Sequence, residues 1–270
     1  MKHTKVTLLG LIALVLVFMA ACQPKAESGG ITIKKGILMV GMEIGYPPME
    51  YFDEDGKTPI GFDVEMGKAV AAKLGLEVEF VDTAWDGIFD GVNLNKYDCI
   101  MSSVTYTEER AAKFNFTKPY VVNSQLLIVR KDSMVKPKSM EEVPGLRLTF
   151  QGETTSDELF QDWVNRTGAK VETYPYDKVM NCFDDLALNR VDVILVDSVV
   201  AAEYLSRPGN PFEQSALISE DEVLAICLKK GNETLTAAIN KALDDLYAEG
   251  TLQQISQKVF GTDVVSPARK

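Results

Sequence analysis

The chain has 270 residues, a formal net charge of −11 and a single histidine, His3. Such acidity argues against nucleic acid as a partner. With no histidine beyond position 3, the body of the chain cannot hold a Ser-His-Asp triad, a Cys-His pair or a His-ligated metal, and no metal or other cofactor is expected.

The first segment, MKHTKVTLLGLIALVLVFMAAC, sets cationic Lys2 and Lys5 before an apolar run from Val6 to Met19, then Ala20, Ala21 and Cys22. This is the pattern of a secretory signal, predicted over residues 1–21. Its apolar run is shorter than the ~20 residues a spanning helix needs. Small residues directly before Cys22 are similar to a bacterial lipobox, in which the cysteine carries a lipid anchor; the plainer alternative is a signal with an incidental cysteine. Residues 22–30 then form a polar tether. Three cysteines follow, Cys99, Cys182 and Cys227, without CxxC spacing. They read as buried thiols, with one disulfide left open for an exported protein.

From Ile37 short apolar runs alternate with amphipathic stretches. ILMVG predicts a strand, Phe62 to Leu74 a helix with apolar residues at 62, 66, 69, 70 and 74, and VEFV a strand. A helix near 86–93 and a strand at YDCIMS follow. The rhythm then repeats: GLRLTFQG, a helix near 156–165, KVETY, a helix near 177–189, VDVILVD, a helix near 198–205. Two α/β lobes with doubly wound sheets are implied. The extended run VVNSQLLIVRKDS can cross between them, and DEVLAICLKKG can return if the long helix after it packs on the first lobe. The expected division is 31–121 plus 224–262 for one lobe, 122–223 for the other and 263–270 for a tail.

Open α/β sheets bind ligands at the carboxyl ends of their strands, and several loops there are unusually polar. In VGMEIGYPPMEY, Glu43 and Tyr46 follow a strand, and the two prolines stiffen the turn; Tyr46 is either a wall of a site or a cap on the core. In VDTAWDGIFDG, Trp85 stands at a helix mouth, either packing or flanking a ligand with Tyr46. SSVTYTEERAAKF gathers Ser102, Ser103 and Thr105 before Arg110. Thr105 and Glu108 have capping-box spacing, and hydroxyls, helix N–H groups and a guanidinium together describe a seat for a carboxylate. The alternative is a capped surface helix with Arg110 paired to a neighbour such as Glu109. FQGETTSDEL repeats the spacing with Thr155 and Glu158, so N–H groups around Thr154 to Ser156 could grip the same carboxylate. Asp197 ends VDVILVD. It is either an N-cap worth about 1 kcal/mol or an acceptor for a ligand ammonium.

These motifs, with IGFDVEMGKAVAAKLG, WDGIFDGVNLNKYDCIMSSVTYTEERAAKFNFTKPY and YAEGTLQQISQKVFG, resemble the bacterial extracytoplasmic solute-binding proteins of the polar amino-acid type, receptors of ABC importers, over about 37–261. The resemblance implies a periplasmic binding protein type II-like α/β fold of two lobes joined by two crossing strands. It implies Arg110 on the α-carboxylate with help from Thr105, Thr154 and Thr155, and Asp197 with the Ser103 carbonyl on the α-ammonium. Glu43, Tyr46 and Trp85 would line the side-chain pocket. QGETTS is one residue longer than the family's usual Gly-Thr-Thr turn, which leaves the register of Thr154 and Thr155 open.

The expected partners are a free polar amino acid, an ABC permease with its ATPase, and a membrane reached through a lipid on Cys22; a monomer is expected. A carboxylate at Glu43 leans the ligand to arginine or lysine, with glutamine and cystine as alternatives. A rival of another class is a dehydratase-type enzyme on the same scaffold, using Glu43 or Glu153 as general acid; a ligand-sensing domain is a third.

Overall fold

A computed structural model describes residues 30–269; the expected signal segment and Cys22 lie outside them. The first strand, β1 (Ile37–Met42), leads through Glu43 and Tyr46 into the short hairpin β2 (Tyr51–Phe52) and β3 (Pro59–Ile60). Gly61 then turns the chain at φ 123°, where a Cβ would stand 2.3 Å from the Met49 carbonyl oxygen. Only glycine fits this approach. It delivers helix α1 (Phe62–Leu74) directly against the loop after β1, with Asp63 N–H bonded to the Met49 carbonyl. Gly75 in the left-handed region ends the helix.

β4 (Glu77–Asp82) follows, then a single 3₁₀ turn at Trp85–Gly87 running into α2 (Ile88–Asn93), β5 (Cys99–Ile100), α3 (Glu108–Lys113) and β6 (Phe114–Phe116). The strand expected over YDCIMS is therefore shorter, because Ser103 at φ 50° turns the chain away from the sheet. β7 (Val121–Arg130) leads to β8 (Arg147–Gln151), α4 (Thr155–Thr167), β9 (Glu172–Tyr176), α5 (Val179–Ala187), β10 (Val193–Asp197) and α6 (Ser198–Ser206). The chain returns along β11 (Phe212–Leu224) to β12 (Cys227–Lys229), α7 (Glu233–Ala248) and α8 (Thr251–Phe260).

Two five-stranded sheets result, ordered β4-β1-β5-β12-β6 and β11-β7-β10-β8-β9. Each has a parallel trio, β4-β1-β5 and β10-β8-β9, extended by antiparallel strands. β12 and β7 run against their trios, and β6 and β11, each antiparallel to one of these, run with them. β7 and β11 pair along their whole length, from Arg130 and Phe212 to Val121 and Leu224, and carry the chain from one sheet to the other twice. α7 buries Leu235, Ile239, Ala242, Leu243 and Leu246 and packs on α1, as α8 does, so the C-terminal part closes the first lobe. Cys99, Cys182 and Cys227 are buried free thiols, and burial pushes the Cys182 and Cys227 thiols up to about 12. No described helix is long and apolar enough to cross a membrane.

Candidate ligand-binding site

The loops leaving β1, β4, β5, β8 and β10 converge from both lobes on one narrow hollow. Glu43, Tyr46, Trp85, Ser102, Ser103, Thr105, Arg110, Thr154, Thr155 and Asp197, all singled out in the sequence, line it, together with Glu50 and Gln151, which sequence reasoning missed.

At one end stands Arg110. Helix α3 begins two residues later than the sequence spacing suggests: Thr107, not Thr105, is its N-cap, and the Thr107 Oγ1 accepts from Arg110 N at 3.1 Å. Thr105 is held extended instead, in a bridge with Leu224 of the returning strand. Its hydroxyl lies 3.4 Å from that of Thr155 in the other lobe. The guanidinium is 8 % exposed; it donates to the Thr105 carbonyl at 3.1 Å and to Glu158 Oε1 at 2.9 Å. Glu109 pairs with Lys113. Trp85 and Phe89 flank the guanidinium, their ring centroids 5.8 and 5.3 Å from its carbon, so Trp85 packs and lines the hollow at once.

The opposite lobe presents α4. Thr154 occupies its N-cap position but makes no capping bond; its hydroxyl donates to the Gln151 carbonyl at 2.7 Å. Thr155 therefore fills the inward register, its Oγ1 accepting from Gln125 Nε2 at 3.3 Å. The expected capping box is not formed, because the helix starts one residue earlier than that spacing requires: Asp157 Oδ2 accepts from Glu153 N at 3.0 Å, and Glu158 reaches across to Arg110.

Asp197 ends β10 at the N-cap position of α6 without a side-chain capping bond. Its carboxylate accepts from the Tyr46 hydroxyl at 2.7 Å and from Gln125 Nε2 at 2.6 Å. Burial raises its pKa, opposed by the hydrogen bonds from Tyr46, Asn123 and Gln125 and by the charge of Arg110. Gln125, on β7, also reaches Glu222 of β11 at 3.0 Å and accepts from Ser156 at 2.7 Å, which ties Asp197 to both crossing strands. The alternation of Asn123 and Gln125 in an otherwise apolar strand was the available signal for this polar face.

At the remaining end Glu43 accepts from Gln151 Nε2 at 2.7 Å. Burial pushes Glu43 up to about 7, countered by that hydrogen bond and by nearby Lys178. Glu50 accepts from the Ser102 hydroxyl at 2.7 Å, and the same hydroxyl accepts from Glu43 N. Five hydrogen bonds thus join the lobes directly around the hollow: Tyr46 to Asp197, Gln151 to Glu43, Arg110 to Glu158, Trp85 Nε1 to the Glu153 carbonyl at 2.9 Å, and the Thr105 and Thr155 hydroxyls to each other. On its wall Ser103 Oγ and Gln151 Oε1 are buried without a protein partner. Buried polar atoms cost stability when unpaired, so a polar wall of this kind fits a polar ligand.

Residues 38–262 match the model of the bacterial extracellular solute-binding proteins, family 3. The chain belongs to that family. The L-cystine-binding protein of Escherichia coli strain K12 is 30 % identical over 259 residues, covering 95 % of this chain and 96 % of that protein. Among solved structures, an ancestral arginine-binding protein bound to arginine is 33 % identical with a TM-score of 0.78, over 84 % of this chain and 99 % of that one. The same kind of ancestral protein bound to glutamine is 32 % identical with a TM-score of 0.77 over the same shares. The family's fold is the two-lobed periplasmic binding protein type II fold, and the two sheets and two crossing strands here have that arrangement.

Proposed function

We propose that this family member is an extracytoplasmic receptor that binds a free polar L-amino acid between two closing lobes and delivers it to an ABC importer permease driven by its ATPase. The observation that carries the reading is that Arg110, from one lobe, and Asp197, from the other, face a single hollow. A guanidinium offers a carboxylate two parallel hydrogen bonds, and a buried aspartate attracts an ammonium. A zwitterion held by both lobes favours the closed arrangement, because its contacts are complete only there. The crossing strands near Val121 and Leu224 are the hinge of this proposal.

The ligand's side chain extends toward Glu43 and Gln151. The Glu43 carboxyl on this wall supports arginine or lysine as the ligand class. Cystine is a second reading with its own support: Glu43 with Lys178 beside it offers an acid and a base to a second zwitterionic end. Glutamine fits the hydrogen-bonding wall without using its charge. The reading is of a receptor and not an enzyme, acting as a monomer, exported and held at the membrane by a lipid on Cys22.

Thermal-shift screening of the twenty amino acids, cystine and ornithine is the direct test. A rise in melting temperature with one of them identifies the ligand; no rise with any, together with turnover of a prephenate-like acid, would favour the dehydratase alternative. Mass spectrometry of the membrane-extracted protein tests the lipid on Cys22.

A further inference from the structure

At the floor of the hollow lie two acids, Glu50 on its lining and Asp63 behind it. Glu50 is 1 % exposed and Asp63 is fully buried. They come from different segments, the loop after β1 and the first turn of α1, and the Gly61 turn brings them together. Glu50 Oε1 accepts from Ser102 Oγ at 2.7 Å; Asp63 Oδ2 accepts from Ser103 N at 2.8 Å and from the Tyr120 hydroxyl at 3.0 Å. That leaves one oxygen on each acid, Glu50 Oε2 and Asp63 Oδ1, buried and without a donor.

Two ionised carboxyls this close and this dry would repel each other and strand both free oxygens. A single proton between them removes both penalties: Glu50 becomes the donor and Asp63 the acceptor. The groups facing the pair are Glu43 from the same loop, the hydroxyls of Tyr46 and Ser102, and Tyr120 just before β7; none is a cation. Burial accordingly raises Glu50 well above the usual carboxylate range, with the charge of Asp63 adding to it, and raises Asp63 to about 7.

What the pair holds is the corner that forms the ligand wall. Ser102 and Ser103 are anchored to it one each, by side chain and by backbone, and Ser103 sits at φ 50°, a conformation an L residue keeps only when its surroundings enforce it. We propose that the Glu50–Asp63 pair, sharing one proton, is a positioning element that locks the Ser102–Ser103 corner into the shape the ligand requires. This rests on the amino-acid-receptor reading of the hollow. Glu50 acts through the corner, as a neutral acid donating a hydrogen bond.

The sign of the pH dependence follows. An acid whose pKa is raised on folding adds stability that is complete below its unfolded value and is lost as pH rises through its folded value. The lock therefore weakens on the alkaline side. Glu50→Gln keeps the shape and an N–H donor toward Asp63 but cannot lose a proton, whereas Glu50→Ala removes the donor.

The experiment measures, by calorimetry from pH 6 to pH 9, the affinity of parent, Glu50→Gln and Glu50→Ala for the amino acid giving the largest thermal shift, and the melting temperature of each protein alone. From pH 6 to pH 9 Glu50→Gln is expected to lose less affinity and less melting temperature than the parent loses. Glu50→Ala is expected to bind about tenfold more weakly throughout. Superimposable pH profiles for parent and Glu50→Gln, or a Glu50→Gln protein as impaired as Glu50→Ala, overturn the proposal. If no amino acid binds the parent, the receptor reading fails; the melting-temperature profiles still decide whether the pair shares a proton.

Discussion

Helices α3 and α4 enter the hollow from opposite lobes with nearly the same sequence signal, and they resolve it in opposite ways. Thr105 and Glu108 mark the start of one, Thr155 and Glu158 the start of the other, both with the spacing of a reciprocal cap. In α3 the cap moves to Thr107 and closes on Arg110 N, so that the helix start is self-contained and its third residue is free to aim a guanidinium inward. In α4 no such cap forms: Thr154 turns back to Gln151, Thr155 turns into the hollow, and Glu158 leaves its own helix for Arg110. One start is closed by its own N-cap side chain and supplies a guanidinium; the other has no N-cap side-chain bond, keeps a local bond from Glu153 N to Asp157, and sends Glu158 to the opposite lobe. With Thr154 at the N-cap, the capping position three residues on is held by Asp157, which leaves Glu158 free to make its charge-assisted bond to the buried guanidinium.

Three experiments test this asymmetry. The largest effect is expected from Arg110→Ala, which leaves the ligand carboxylate without its counter-charge in a closed cleft: a loss of about 3 kcal/mol, roughly 150-fold in affinity by calorimetry. An affinity equal to the parent's would remove α3 from the site. Next, Thr107→Ala should cost about 1 kcal/mol of folding stability as a lost N-cap, a fall of about 2–4 °C in melting temperature for a chain of this size. Thr154→Ala should cost less, since it caps nothing; equal losses would mean that the two helix starts are alike after all. The smallest effect belongs to Glu158→Gln. Its carboxylate is half exposed, so water screens the pair, and a rise of about threefold in ligand dissociation rate by stopped flow, with association unchanged, is expected. A change confined to association would show that Glu158 steers ligand and does not hold the lobes together.

The same contrast marks how far the sequence could be read. Strong apolar periodicity put α1 at Phe62–Leu74 and the buried face of α7 on Leu235 to Leu246, as the structure has them. Polar residues at strand ends, Glu43, Ser102, Thr105, Arg110 and Asp197, stood out because little else calls for charge at the end of a buried strand, and the fold gathers them around one hollow. Capping was misread where a distant segment intervened. Thr105 is kept extended by Leu224, and nothing near Thr105 announces that partner. Glu50, Asp63, Gln125 and Gln151 escaped notice for a related reason: each carries a modest local signal and acquires meaning only through a residue far along the chain.

By itself the sequence determined the alternation of strands and helices, the two-lobed α/β class and the placing of charge at the strand ends, because side-chain period and burial are properties of consecutive residues. Only the tertiary structure decided which lobe completes which bond: that Tyr46 meets Asp197, that Arg110 meets Glu158, and that Glu50 lies against Asp63. Such pairings depend on the approach of segments separated by tens of residues, and the strength of a buried polar contact is set by the partner and the dielectric it finds there, not by its neighbours in the chain.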